Sequence, residues 1–262
     1  MKRGFSLVEL SIVLVILGLL VGGVLSGQAL IHAAQLRAVY TEASKYRTAV
    51  QTFRGKYFAY PGDMTNATSF WGSIAGSSAD NYTTSCYSTL TPDIRTCNGN
   101  GDGQIPGTSG TGEMWHAWVQ LANAGLIEGS YTGGQIPWAA PYYVPGTNVG
   151  ASKFAGNAGW LLMAMPTVSG TPRLFASNPG LYLTHFIASG GAGPSMLPED
   201  AWNVDTKLDD GMPATGWIIA SKGSVGGCTS RGGQPYDPTL DPLATYSLTV
   251  TTVSCQLQFE HL

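Results

Sequence analysis

From Phe5 to Ile31 the chain is apolar at nearly every position, and Glu9 is the single ionisable side chain in that run. About 20 apolar residues let a helix cross the hydrocarbon core of a bilayer, so residues 5–31 are expected to span one. The pattern then changes without a break. Leu36, Val39, Ala43, Tyr46, Val50, Phe53 and Tyr57 recur at steps of three and four, which predicts one buried stripe on an amphipathic helix. Arg37, Glu42, Lys45, Arg47, Gln51, Arg54 and Lys56 fill the other faces. No Pro interrupts residues 5–57, so a single helix is predicted, about 53 residues and ~80 Å long. Phe58-Ala-Tyr-Pro61-Gly62-Asp63 ends it with a turn.

Beyond that turn, residues 65–110 are rich in Ser, Thr, Asn and Gly and predict long loops. Glu113 to Ala122 reads as a short helix with Trp115, Trp118, Leu121 and Ala122 on one core face, closed by Gly125. Strands are expected at Trp160–Met165, Leu181–Ile187, Gly216–Ala220, Tyr246–Val253 and Gln256–Phe259. The fold class is therefore α+β: a long N-terminal helix, half of it apolar all round, packed on a globular head with an antiparallel sheet. Residues 58–262 form that head.

Composition changes this picture in three ways. Charged residues make up 11% of the chain and Gly 35 of its 262 residues, a surface suited to packing against copies of itself or to life outside the cell. Residues 1–57 hold seven Lys/Arg against two acids, and residues 58–262 six against fourteen, so no broad basic nucleic-acid surface exists and none is expected as a partner. Lys2 and Arg3 orient the span, keeping the N-terminus cytoplasmic and exporting the head. In that exported part lie all four cysteines, where disulfides are permitted. Of three pairings, the sequential one, Cys86–Cys97 and Cys228–Cys255, closes the shortest loops.

Two stretches offer cation chemistry. Asn98-Gly-Asn100-Gly-Asp102-Gly103-Gln104-Ile105 resembles the first half of a Ca²⁺ loop, with oxygen side chains at alternate positions converging on one ion. An EF-hand places a bidentate Glu where this chain has Ser109, and Glu113 is the nearest acid, so a Ca²⁺ site of Asn98, Asn100, Asp102, Gln104 and Glu113 competes with a plain Gly/Asn turn. Between Glu199 and Pro213 the acids Asp205, Asp209 and Asp210 crowd together, which a second Ca²⁺ or a hydrogen-bonded turn would relieve. Ca²⁺ is the one cofactor suggested. No nucleophile elbow, phosphate-binding Gly loop or metal-spaced His pair supports an enzyme. Asp209 and Asp210 are adjacent, which suits a glycosidase pair poorly.

A removable secretory signal would have a shorter apolar core and an Ala-x-Ala ending, both absent here. Arg3-Gly4-Phe5-Ser6-Leu7-Val8-Glu9-Leu10 instead resembles, position by position, the cleavage and methylation motif of type IV prepilins and type II secretion pseudopilins. That resemblance implies a leader of residues 1–4, cut by prepilin peptidase after Gly4, with methylation of the new N-terminus at Phe5. It implies storage in the inner membrane, then extraction by the assembly machinery into a homo-oligomeric helical filament. In that filament Glu9 would face the α-amino group of a neighbouring Phe5. Gly18 sits where the family has a helix-breaking Gly, although the Pro of many major pilins is missing. The expected role is a structural subunit of a surface pilus for adhesion, motility or DNA uptake. A periplasmic type II secretion pseudopilin, or a minor tip pilin binding a receptor or DNA, is the alternative.

Overall fold

The computed structural model describes residues 7–74, 86, 94–106, 112–134, 142–154, 156–164, 179–186, 192–221, 227–230 and 243–260. Helix α1 spans Leu7–Tyr57 without interruption, 51 residues or ~77 Å. Gly18, Gly22, Gly23 and Gly27 do not break it. Its second half buries Leu36, Val39, Ala43, Tyr46, Ala49, Val50 and Phe53, the expected stripe with Ala49 added and Tyr57 only half-buried. Each fully buried aliphatic or aromatic side chain on it contributes about 1.5–3 kcal/mol. Phe58 stops the helix in the left-handed conformation (φ 56°) that Gly usually takes at this position, leaving its ring exposed.

Among the described residues three more helices are defined: α2 (Thr68–Trp71), α3 (Glu113–Asn123) and α4 (Pro198–Leu208). Helix α3 is buried from Glu113 to Leu121, more completely than the single face its Trp spacing predicts. Gly125 (φ 72°) closes it, its N–H bonding Ala122 O at 2.9 Å. Helix α4 starts on Pro198, with Glu199 and Asp200 in the first turn and Lys207 in the last, complementing the helix dipole.

The sheet is antiparallel throughout. It comprises β1 (Gly150–Ala151), β2 (Ala158–Met163), β3 (Gly180–Phe186), β4 (Ala192–Gly193), β5 (Ile218–Ser221) and β6 (Gln256–Phe259). Their order is β1-β2-β3-β6-β5, with β4 paired to β3. Leu183 stands opposite both Trp160 and Leu257, so the register lines apolar residues across three strands. Four of the five expected strands form, Gln256–Phe259 with the expected bounds and the other three with shifted ends. The fifth, Tyr246–Val253, does not: Tyr246 makes one isolated bridge to Thr229, and Ser247 to Val250 turn back on themselves. β-branched residues need a partner edge, and both edges of β6 are already taken by β3 and β5.

Polar contacts lock α1 to the head. The half-buried carboxylate of Glu42 accepts hydrogen bonds from Ser152 Oγ (2.7 Å), the Lys153 N–H (2.9 Å) and Trp160 Nε1 (2.9 Å). Tyr46 packs edge-on to Trp118 and Trp160 at 5.1 and 5.9 Å. Higher on the helix, His32 Nε2 lies 2.8 Å from Asp200 Oδ1 on α4. Arg47 stacks over Trp217 at 5.1 Å. Glu42→Gln, which exchanges a charged acceptor for a weaker one while keeping shape, is expected to lower unfolding free energy by about 2 kcal/mol in urea denaturation of the full chain. Glu128→Gln is the control, because the Lys45–Glu128 pair is exposed and 4.0 Å long and should leave the midpoint unchanged.

The disulfides are Cys86–Cys97 and Cys228–Cys255, with Cα separations of 6.0 and 4.9 Å. The first closes over α3. His116 is buried there, with Nδ1 3.1 Å from Thr96 Oγ1 and Nε2 2.5 Å from Cys86 O. Burial lowers its pKa to about 4, so the ring is neutral.

Candidate functional site

The apolar half of α1 stands clear of the head. Every side chain from Leu7 to Leu25 is exposed, Leu7 at 86%. The helix is long and apolar enough to cross a membrane, and none of its most apolar window is covered by the rest of the chain. The Ser11 hydroxyl donates back to Val8 O at 2.8 Å, as a polar group in an apolar helix must. Glu9 lies in the first turn, where the helix dipole favours an acid. A Cβ built on Gly18, Gly22, Gly23 or Gly27 would meet nothing within 4 Å, so the head does not require these glycines. In a membrane or a bundle, such glycines let helices approach closely. Gly4 and Phe5 lie outside the described residues.

The stretch 98–105 folds over the turn that ends α1. Asp63, named only as part of that turn by sequence reasoning, is its centre. Its Oδ1 accepts the N–H groups of Gly101 (2.7 Å) and Asp102 (3.2 Å), and its Oδ2 that of Gly103 (2.9 Å). Within the loop, Asn100 Oδ1 accepts the Asp102 N–H and Asp102 Oδ1 the Gln104 N–H, at 2.9 and 2.8 Å. Asn100 Nδ2 donates to Asp102 Oδ2 at 2.9 Å. Asn98 turns away to cap α2, accepting the Thr68 N–H at 2.9 Å. Glu113 enters from α3, its Oε1 accepting the Asn100 N–H at 3.1 Å. So Asn100, Asp102 and Glu113 are brought together, Asp63 joins them, and Asn98 does not. Gln104 contributes its N–H. Ser109 lies outside the described residues.

Burial raises the pKa of both inner carboxylates. For Asp63 the loop N–H groups oppose the shift. Glu113 is pushed up to about 8 by burial, opposed by the Asn100 N–H and reinforced by the charges of Asp63 and Asp102. Gly62 permits the close approach of α3: with φ at 91°, a Cβ there would sit 2.4 Å from Glu113 O. Its N–H donates to Gln120 Oε1 at 2.7 Å.

The second acidic stretch splits into helix and turn. Asp205 is the last buried residue of α4, and Asp209 and Asp210 form the turn after it. Helix α4 was missed because its acids read as ligands. Pro198 ahead of two acids, with Ala201, Val204 and Leu208 at helical spacing, was the signal. One oxygen from each of Asp205, Asp209 and Asp210 lies within 4.8 Å of the others. Each acid nonetheless has protein donors. Asp205 takes the Gly211 N–H and the Tyr246 hydroxyl (2.6 Å). Asp209 takes the Trp217 and Ile218 N–H groups, and Asp210 the Met212 N–H and the Thr215 hydroxyl. Asp205 is pushed up to about 7 by burial, which the Tyr246 and Gly211 donors oppose. The Tyr246 hydroxyl is held far above its usual range by burial and by Asp205. Lys207 points elsewhere, over the Tyr40 ring at 5.6 Å.

Residues 1–25 match the family model described as the prokaryotic N-terminal methylation motif. This is the prepilin signal of type IV pilins and pseudopilins. No curated protein matches the chain, and neither does any solved structure.

Proposed function

We propose that this chain is a structural subunit of a type IV pilus-like filament, cut after Gly4 by prepilin peptidase, methylated on Phe5 and polymerised through the apolar half of α1. The methylation motif supports a pilin-like or pseudopilin role in general. The observation that carries the finer reading is the exposure of α1 from Leu7 to Leu25, an apolar surface that water does not tolerate and that the chain's own head leaves uncovered. Before assembly the inner membrane covers it, and in the filament the same helices of neighbouring copies do. Glu9 then pairs with the methylated amino group of Phe5 on the adjacent subunit, since a charge within an apolar bundle is tolerated chiefly when paired. The head, with its two disulfides, is exported and faces outward. A surface pilus is favoured over a pseudopilus because the disulfide-bearing, low-charge head suits exposure.

Mass spectrometry of the protein from cells tests the first step. The chain is expected to begin at methylated Phe5, and a mass retaining Met1 would remove the claim. Sheared filaments composed mainly of this chain would place it as the major subunit; its presence as a trace component would move it to the tip.

A further inference from the structure

Three carboxylates from separate parts of the chain meet at the loop 98–105: Asp63 after the stalk, Asp102 within the loop and Glu113 at the start of α3. Asp63 and Glu113 are 3% and 2% exposed, while Asp102 is at the rim. Among the described residues no Lys or Arg forms an ion pair with any of them. Asp63 is fully supplied with N–H donors, but Glu113 is not. Its Oε1 has the Asn100 N–H, whereas its Oε2 is buried with no hydrogen-bond partner at all. A buried acceptor left unmade is costly. What satisfies a buried carboxylate oxygen that no protein donor reaches is a cation.

We propose that Glu113 Oε2, with the carboxylate of Asp102 and the side-chain oxygen of Asn100, holds one divalent cation, Ca²⁺ by the chemistry of its donors. The set is oxygen only. Ca²⁺ takes six to eight such ligands in irregular geometry, some of them water, so exposed Asp102 can complete the shell from the rim. Zn²⁺ would want His or Cys, and the nearby His116 has both ring nitrogens engaged by Thr96 and Cys86. Asp63 is a positioning residue. By gathering three loop N–H groups it holds Asn100 and Asp102 opposite Glu113, and so ties the end of α1, the loop and α3 to one ion. The Asp205, Asp209 and Asp210 cluster is more tightly gathered but has no unpartnered buried atom, and serves as the internal comparator.

The test uses the full-length chain in detergent, with Tb³⁺ and Ca²⁺ as probes. Trp115, two residues from Glu113, should sensitise Tb³⁺ luminescence, displaced by Ca²⁺ with a midpoint of about 10⁻⁴–10⁻³ M. About 5 mM Ca²⁺ should raise Tm by roughly 3–6 °C over a chelator control. Glu113→Gln is expected to lose both responses while keeping a chelated Tm at or above that of the parent, since it removes a repelling charge; a purely structural carboxylate would instead lower Tm in both conditions. Asp102→Asn, on the exposed loop, should lose the response without affecting folding. Asp210→Asn should retain it. The proposal is overturned if the parent chain shows neither luminescence nor a Tm shift, or if the response survives Glu113→Gln and disappears in Asp210→Asn.

Discussion

Glu9→Ala is expected to leave the subunit in the inner membrane and nearly abolish filaments. The two effects have opposite signs in the two environments. In the bilayer the carboxylate is a burden, up to ~2.5–3.5 kcal/mol at mid-span and less near the interface, so its removal leaves insertion intact or improves it. In the proposed filament it would neutralise an amino group held among apolar helices, and removing one partner of a buried pair costs about 3–5 kcal/mol. That is a loss of about two to three and a half powers of ten in the equilibrium for each subunit added. Immunoblots of membrane and sheared-filament fractions measure both arms. A normal filament yield from Glu9→Ala would show that Glu9 is not the assembly contact.

The paired substitution Cys228→Ser with Cys255→Ser should destabilise the head by about 3–4 kcal/mol, a drop in Tm of roughly 6–16 °C. The bridge spans 27 residues of sequence. It also fixes the entry to β6, the strand between β3 and β5, since Ser195 N–H bonds Cys255 O at 2.8 Å immediately before β6 begins. Removing Cys86–Cys97, which spans 11 residues, should cost somewhat less, about 3 kcal/mol by the same loop-closure argument. Thermal unfolding of the two double variants under non-reducing conditions gives the order. A larger loss from the 86–97 variant would mean that packing over α3, rather than chain closure, dominates.

Much of the architecture was legible along the chain. The apolar run and the stripe from Leu36 to Phe53 specify α1 because a helix is built from contacts three and four residues apart, which spacing records directly. Trp115, Trp118, Leu121 and Gly125 did the same for α3. Four strands were legible by composition, although the ends of three were not, since a strand ends where its neighbour's edge does. The failure at Tyr246–Val253 has that same origin: its residues favour a strand, but β6, the strand next in the chain, already has β3 and β5 on its two edges.

The acidic sites divide along the same line. Sequence reasoning placed Asn100, Asp102 and Glu113 in one candidate site by alternation and proximity. It passed over Asp63, which lies 38 to 40 residues from the N–H groups it gathers. Asp205 was seen as one of three crowded acids, but its tie to Tyr246, 41 residues away, was not. The sequence alone determined the helix, its apolar half, the methylation motif and Glu9, because periodicity and motif spacing are local. Only the tertiary structure decided which carboxylates are buried, which donors reach them and that Glu113 retains an oxygen with none. Those outcomes depend on chain closure over distances that no local pattern encodes.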